Sequence, residues 1–134
     1  MDFQNEQATD EAIDQMLNEI VDKIFSESQE NIIRYGAVDT GHMLRSGNVN
    51  RKFLEKEIVY SAPYAVSVEY GREPGSMPPV QPIKKWLMRK FHMREKEAEN
   101  TAWAIAKKIQ KSGTRARPFL RDAVNTVSAE YGGI

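Results

Sequence analysis

The chain has 134 residues, with 19 Lys+Arg against 19 Asp+Glu and an apolar content of 40%. Zero formal charge removes the bulk attraction on which non-specific nucleic-acid binding depends, and leaves little repulsion between copies. With no cysteine, disulfides, thiolate metal sites and Cys nucleophiles are excluded. The length suits one domain over residues 1–134.

The opening residues are polar and acidic, unlike the basic-then-apolar start of a signal peptide. No apolar run approaches the ~20 residues that span a bilayer. Synthesis and solubility in a cytoplasm, with no membrane partner, are the expectation. Residues 1–8 read as a flexible lead. Thr9 or Asp10 then offers an N-cap, with Glu11 at the positive end of the helix dipole. Ile13, Leu17, Ile20, Val21, Ile24 and Phe25 recur at helical spacing, with Asp14, Asn18, Asp22 and Lys23 opposite. Gly36 follows Tyr35 as a C-cap, so the spacing predicts a helix over about residues 10–35.

Val38 to Gly47 begins with capping residues and ends in glycine, which suits one or two helical turns. Residues 48–54 and 57–61 read as a hairpin turning at Glu55-Lys56, with Val49, Arg51 and Phe53 on one partly buried face. Pro63 opens a helix covering Tyr64 to Tyr70, ended by Gly71. Arg72 to Pro82 holds four prolines and a glycine and reads as a stiff, exposed loop. A helix follows from Ile83, with Ile83, Leu87 and Phe91 on one stripe and a break near His92. Ala98, Ala102, Ile105, Ala106 and Ile109 then form a narrow seam that lets helix axes approach closely. Gly113 closes that helix, Thr114 to Arg117 is a short basic loop, and Pro118 starts a last helix with Leu120, Ala123, Val124 and Val127 inward.

Few residues suggest chemistry. His42 and His92 stand apart, without a second ligand at metal spacing, and read as surface residues. There is no HExxH, Walker loop, GxGxxG or nucleophile elbow, and Ser46 has no base near it in sequence. Asp39-Thr40-Gly41 matches the aspartic-protease triplet, but those enzymes place the Asp after an apolar strand and pair it with a second Asp. A helix N-cap followed by a glycine turn is the plainer reading. No catalytic, metal-binding or cofactor-binding residue is expected, and no cofactor.

Basic residues gather between Lys84 and Arg117, where Trp86, Phe91 or Trp103 could stack on bases. Glu95, Glu97 and Glu99 offset them, and the acidic first helix could lie against this face in the same chain or in a neighbour, so a solvated helical face is favoured. Trp86 and Trp103 suit core or interface anchors. Glu69, among Tyr64, Ala65, Val68 and Tyr70, needs a partner, for which Arg45 or Arg117 is available.

In order, the chain contains Thr40-Gly41-His42-Met43-Leu44-Arg45-Ser46, Pro63-Tyr64-Ala65, Val68-Glu69-Tyr70-Gly71, Pro78-Pro79, Trp86, the Ala102–Ile109 run, Gly113-Thr114 and Arg117-Pro118-Phe119-Leu120. Over roughly residues 38–127 this set resembles the "gene product ten" family of siphophage head–tail joining proteins, also described as neck, tail-completion or minor tail proteins. Arg72 departs from it, since the family commonly has Thr there. The resemblance implies an α+β fold in which a long N-terminal helix and several further helices pack on a small antiparallel sheet built around a hairpin. It implies a homo-oligomeric ring in the virion neck, with a hexamer matching the tail's symmetry. Its partners would be the head connector or stopper on one side and the tail terminator or tail tube on the other. Genome DNA would pass through the lumen without specific binding.

The family-motif positions carried over are Thr40, Gly41, Leu44, Arg45, Ser46, Tyr64, Ala65, Glu69, Gly71, Trp86, Arg117, Pro118 and Phe119. Candidate interface residues are Arg72, Pro74, Met77, Pro78 and Pro79 of the stiff loop, with Arg115 of the basic one. Two alternatives stand beside this reading: a tail terminator or other minor tail protein, and a nucleic-acid-binding accessory protein using the basic 84–117 region.

Overall fold

A computed structural model describes residues 3–36 and 39–133; the sequence expectations at Met1, Asp2 and Val38 lie outside the described residues. The elements are α1 (Phe3–Tyr35), α2 (Thr40–Arg45), β1 (Gly47–Lys52), β2 (Glu55–Tyr60), α3 (Ala65–Tyr70), α4 (Val80–Phe91), α5 (Glu95–Ser112) and α6 (Phe119–Glu130). The fold is α+β, mostly helical, with a long N-terminal helix and one two-stranded antiparallel sheet. Contacts group the chain into two compact units, Met1–Ala65 with Pro118–Ile134, and Val66–Arg117.

In the first unit α1 packs against α6 and the sheet. It starts at Phe3, earlier than the Thr9 or Asp10 cap implies, because Phe3 to Ala8 contains no Gly or Pro to stop it. The expected flexible lead is therefore helical from Phe3. Val21 and Ile32 are buried on α1, Met43 on α2, and Phe119, Ala123 and Val127 on α6. Leu120 is half-buried and Val124 is 43% exposed, so the inward stripe of α6 is narrower than the sequence suggests.

The hairpin register runs from Gly47↔Tyr60 to Lys52↔Glu55, which places the turn at Phe53-Leu54 and not at Glu55-Lys56. The cause is tertiary. Leu54 holds a left-handed φ of 63°, its N–H donates to Asp14 Oδ1 at 2.7 Å, and Lys56 Nζ reaches the same oxygen at 2.8 Å. Lys56 thus joins Ile58 and Tyr60 on the covered side of β2, a partition local turn chemistry does not reveal. The Lys56 ammonium and the Leu54 N–H hold the Asp14 carboxyl below its ordinary value of 3.8. A lowered carboxylate pKa contributes stability that is present above the unfolded value and lost as pH falls through the folded one. Asp14→Asn should therefore flatten the fall in Tm on acidification through and below pH 3.8, and an unchanged acid limb of the Tm–pH curve would count against the clamp.

In the second unit α4 and α5 pack on each other around Leu87, Ala98 and Ala102, with Val80, Ile83, Trp86, Met93 and Ile105 alongside. The helix α4 begins at Val80 and takes Pro82 into its first turn, so the proline loop ends at Pro79. First-turn N–H groups have no intrahelical acceptor, which is why this proline is tolerated. His92 ends α4 in the left-handed region (φ 54°), the break read from the sequence. Ala98, Ala102 and Ala106 are fully buried, the expected seam. Phe91 and Trp103, at 54% and 45% exposure, lie outside the core, because a seam of alanines covers only a narrow strip of its partner helix.

Candidate assembly surfaces

Around α2 the motif residues hold the chain to itself. Gly41 leaves room for Arg45, whose Nη1 lies 3.2 Å from where a Cβ would sit. The Leu44 carbonyl accepts from Gln29 Nε2 at 3.3 Å. Ser46 Oγ donates to the Met43 carbonyl at 2.9 Å, and the Ser46 carbonyl accepts the Ser61 N–H at 3.2 Å. Thr40 is half-buried at the start of α2, and Ala65 is buried. Asp39 occupies the N-cap position read from the sequence, but in a left-handed conformation (φ 53°) and without a side-chain cap bond. Its carboxylate lies instead 3.6 Å from His42 Nδ1, and its carbonyl accepts the Tyr64 hydroxyl at 3.2 Å. His42, Arg45, Ser46 and Ser61 line an open hollow of about 340 Å³; His42 precedes Ser46 by four residues, one helical turn, so an imidazole does stand near Ser46 in sequence, and both border this hollow.

Phe119 is 3% exposed and meets the Tyr60 ring edge-on, centroids 5.0 Å apart. Its carbonyl accepts from the buried Asn31 Nδ2 at 3.0 Å. Pro118 is the cap preceding α6, one residue earlier than a helix start, and its carbonyl accepts the Asp122 N–H at 2.9 Å. Tyr60 is a hub that residue-by-residue reading misses. Its ring stacks on Phe25 at 6.0 Å, and its hydroxyl bonds Ser28 Oγ at 2.6 Å and Gln29 Nε2 at 2.8 Å. Burial pushes its phenol up, opposed by the bonds to Ser28 and Gln29. The available signal was polar: Ser28 and Asn31 interrupt the apolar stripe of α1, and buried polar groups require partners. Tyr35, at the end of α1, donates to Asp122 Oδ2 at 2.5 Å, and that bond raises its pKa.

In the second unit the loop is tied down along its inner edge. Arg72 and Thr114 form an antiparallel bridge, with N–H to carbonyl distances of 3.0 and 2.8 Å. The Gly75 N–H reaches the Gln110 carbonyl at 2.6 Å, and the Arg117 N–H reaches the Val68 carbonyl at 2.7 Å. Gly71, at φ 75°, lies where a Cβ would sit 2.7 Å from the Thr114 carbonyl oxygen. The Arg72 guanidinium donates to Ser76 Oγ and Ser67 Oγ, at 2.9 and 3.1 Å. Met77 and Pro78 are half-buried; Pro74, Pro79 and Arg115 are exposed. Glu69 is buried, while Arg45 and Arg117 are exposed. Trp86 is half-buried, edge-on to Phe91 at 5.6 Å, with Lys90 Nζ 5.5 Å from its ring centre. Lys84 is neutralised locally by Glu95 at 3.1 Å and Glu99 at 3.8 Å.

What remains exposed and apolar falls in separate places. Ile13 and Met16 are exposed on α1, and Phe53 and Leu54 at the hairpin tip. Val66 and Tyr70, one helical turn apart on α3, are each 69% exposed. On α4 and α5, Met88, Phe91 and Trp103 are exposed. Among the described residues no three His, Asp or Glu side chains gather at a potential metal site, and no helix is long and apolar enough to cross a membrane. No protein-family model, no curated protein and no solved structure matches this chain.

Proposed function

We propose that the chain is a structural component of a tailed-phage neck, completing the tail and joining it to the head connector as a homo-oligomeric ring. One observation carries this reading. The motif residues that produce the family resemblance are largely occupied in internal contacts, while large apolar side chains stand exposed on both units. Exposed apolar side chains that neighbour one another along a helix, as Val66 with Tyr70 and Ile13 with Met16 do, suit small surfaces that other proteins cover. The stiff loop supports the same reading. Its inner edge is bonded within its own unit, and its outer edge, Pro74 and Pro79, is exposed and pre-ordered, which lowers the cost of docking. Because the Gly75 N–H is part of that inner edge, deleting Gly75 to Met77 would disturb the fold as well as any interface.

The test is genetic and compositional. A phage lacking this gene should accumulate filled heads and separate tails, with infectivity restored by the gene in trans, and purified particles should contain the polypeptide at the neck. Intact infectious particles without it would overturn the reading. The nucleic-acid alternative draws on the eleven Lys and Arg against three Glu between Lys84 and Arg117. Salt-sensitive binding to a short duplex would favour it, and indifference at low salt would remove it.

A further inference from the structure

From Glu6 to Ile13, α1 lacks cover within its own unit. Residues 6–13 are all exposed; the hairpin tip reaches α1 at Asp14, and the end of α6 reaches it at Lys23. Most helical stability in proteins comes from tertiary packing of an amphipathic face, which this stretch lacks within its unit. Residues 6–22 contain six acidic side chains and no basic one. Two of them, Asp14 and Asp22, are matched by Lys56 and Arg51. Glu6, Asp10, Glu11 and Glu19 face solvent. Between them Ile13, Met16, Leu17 and Ile20 fall at i, i+3, i+4 and i+7, with Ile13 39% and Met16 47% exposed.

The outer face of α5 has the opposite character. Lys96, Trp103, Lys107 and Lys111 share one helical stripe, all exposed, on the side away from the buried seam of Ala98, Ala102 and Ala106. Trp103 therefore holds an open indole between ammonium groups.

We propose that the acidic N-terminal arm of α1 in one copy docks on the outer face of α5 in another, with Ile13 and Met16 against Trp103 and the arm's carboxylates against Lys96 and Lys107. The argument for a second copy is charge complementarity. Each surface leaves a surplus of one sign, the two surpluses are opposite, and the whole chain is neutral, so a head-to-tail contact satisfies both. A polyanion on α5 would leave the acidic arm uncovered and repelled. One patch meets a different patch, the heterologous geometry that a ring requires. The inference names the contact between copies in the assembly reading and rests on that reading only in taking copies to meet.

Sedimentation velocity of the full chain over a concentration series is the test. Self-association should be strong at about 50 mM salt and weaken towards about 500 mM. Trp103→Ala should weaken it at least about tenfold, as loss of an aromatic anchor does, with Tm preserved because the side chain is exposed. Asp10→Lys and Lys107→Glu chains should each fail to associate alone and associate when mixed, since the reversed arm then meets the reversed face. A chain that stays monomeric at every concentration and salt overturns the proposal. So do variants that associate like the parent, or a Trp103- and Lys107-dependent grip on a short DNA duplex with no contact between copies. Should those variants still enter particles normally, only this interface falls; particles lacking the polypeptide remain the result that removes the assembly reading.

Discussion

Gly113→Ala should lower Tm by about 10 °C or more, one of the largest effects expected of a single methyl group in this chain. Gly113 follows α5 with φ 72° and ψ −173°, a region in which essentially only glycine is found. Strain there is worth about 1–3 kcal/mol for a residue with a Cβ. Space adds to it: the new carbon would collide with the Arg72 carbonyl oxygen and sit 3.1 Å from Pro74 Cδ and N. That carbonyl is the acceptor for the Thr114 N–H, so the clash cannot be relieved without opening the Arg72–Thr114 bridge. Overpacking of this kind costs about a further 1–3 kcal/mol. Gly36→Ala is the control, since Gly36 has a similar φ of 64° but nothing within 4 Å of the added carbon. It should show the cost of a Cβ at positive φ without the clash. Thermal melts of both variants, with hydrogen exchange at the Arg72 and Thr114 amides, separate the contributions. Equal losses in the two variants would mean that the bridge adds nothing.

The contrast also explains what the sequence could reveal. Gly113 was legible as a helix end because glycine after an amphipathic run is a local signal. That its carbonyl-side neighbour pairs with Arg72, some forty residues away, is not local, and no periodicity records it. The same division runs through the whole chain. The alanine seam of α5 and the break at His92 follow from spacing and were readable. The hairpin turn was not, because the Asp14 carboxylate on a distant helix favours Phe53-Leu54 over the more turn-like Glu55-Lys56. Size alone suits Trp103 to core or interface, and only the narrow alanine contact shows that it lies outside the core. As for the candidate site, the exposed basic stripe of α5 can be traced on a helical wheel. The exposure of α1 from Glu6 to Ile13 cannot, since it depends on where the hairpin and α6 stop.

Phe119→Ala should destabilise the chain by about 3–5 kcal/mol, the usual cost of emptying a buried aromatic site. The residue belongs to the Arg-Pro-Phe segment of the family resemblance, and its 3% exposure marks it as an anchor for folding, with little surface left for a partner. Its ring lies edge-on to Tyr60, which in turn stacks on Phe25 and bonds Ser28 and Gln29 of α1. Removing the ring should therefore loosen α6 from both α1 and the hairpin. A second readout isolates that neighbourhood. The Tyr60 phenol is raised above 10.0 by burial, so it contributes stability below the unfolded value that is lost as pH climbs through the folded one. Opening the site beside Tyr60 should bring its pKa back towards 10.0 and shrink that alkaline loss, observable as phenolate absorbance at a lower pH. Phe119→Leu keeps most of the apolar volume and should recover much of the stability, without the edge-on contact worth about 0.5–1.5 kcal/mol. If Phe119→Ala melted like the parent and left the Tyr60 titration in place, α6 would have to be held by Ala123, Val127 and the Asn31 and Tyr35 hydrogen bonds without the ring, and the motif phenylalanine would need another role.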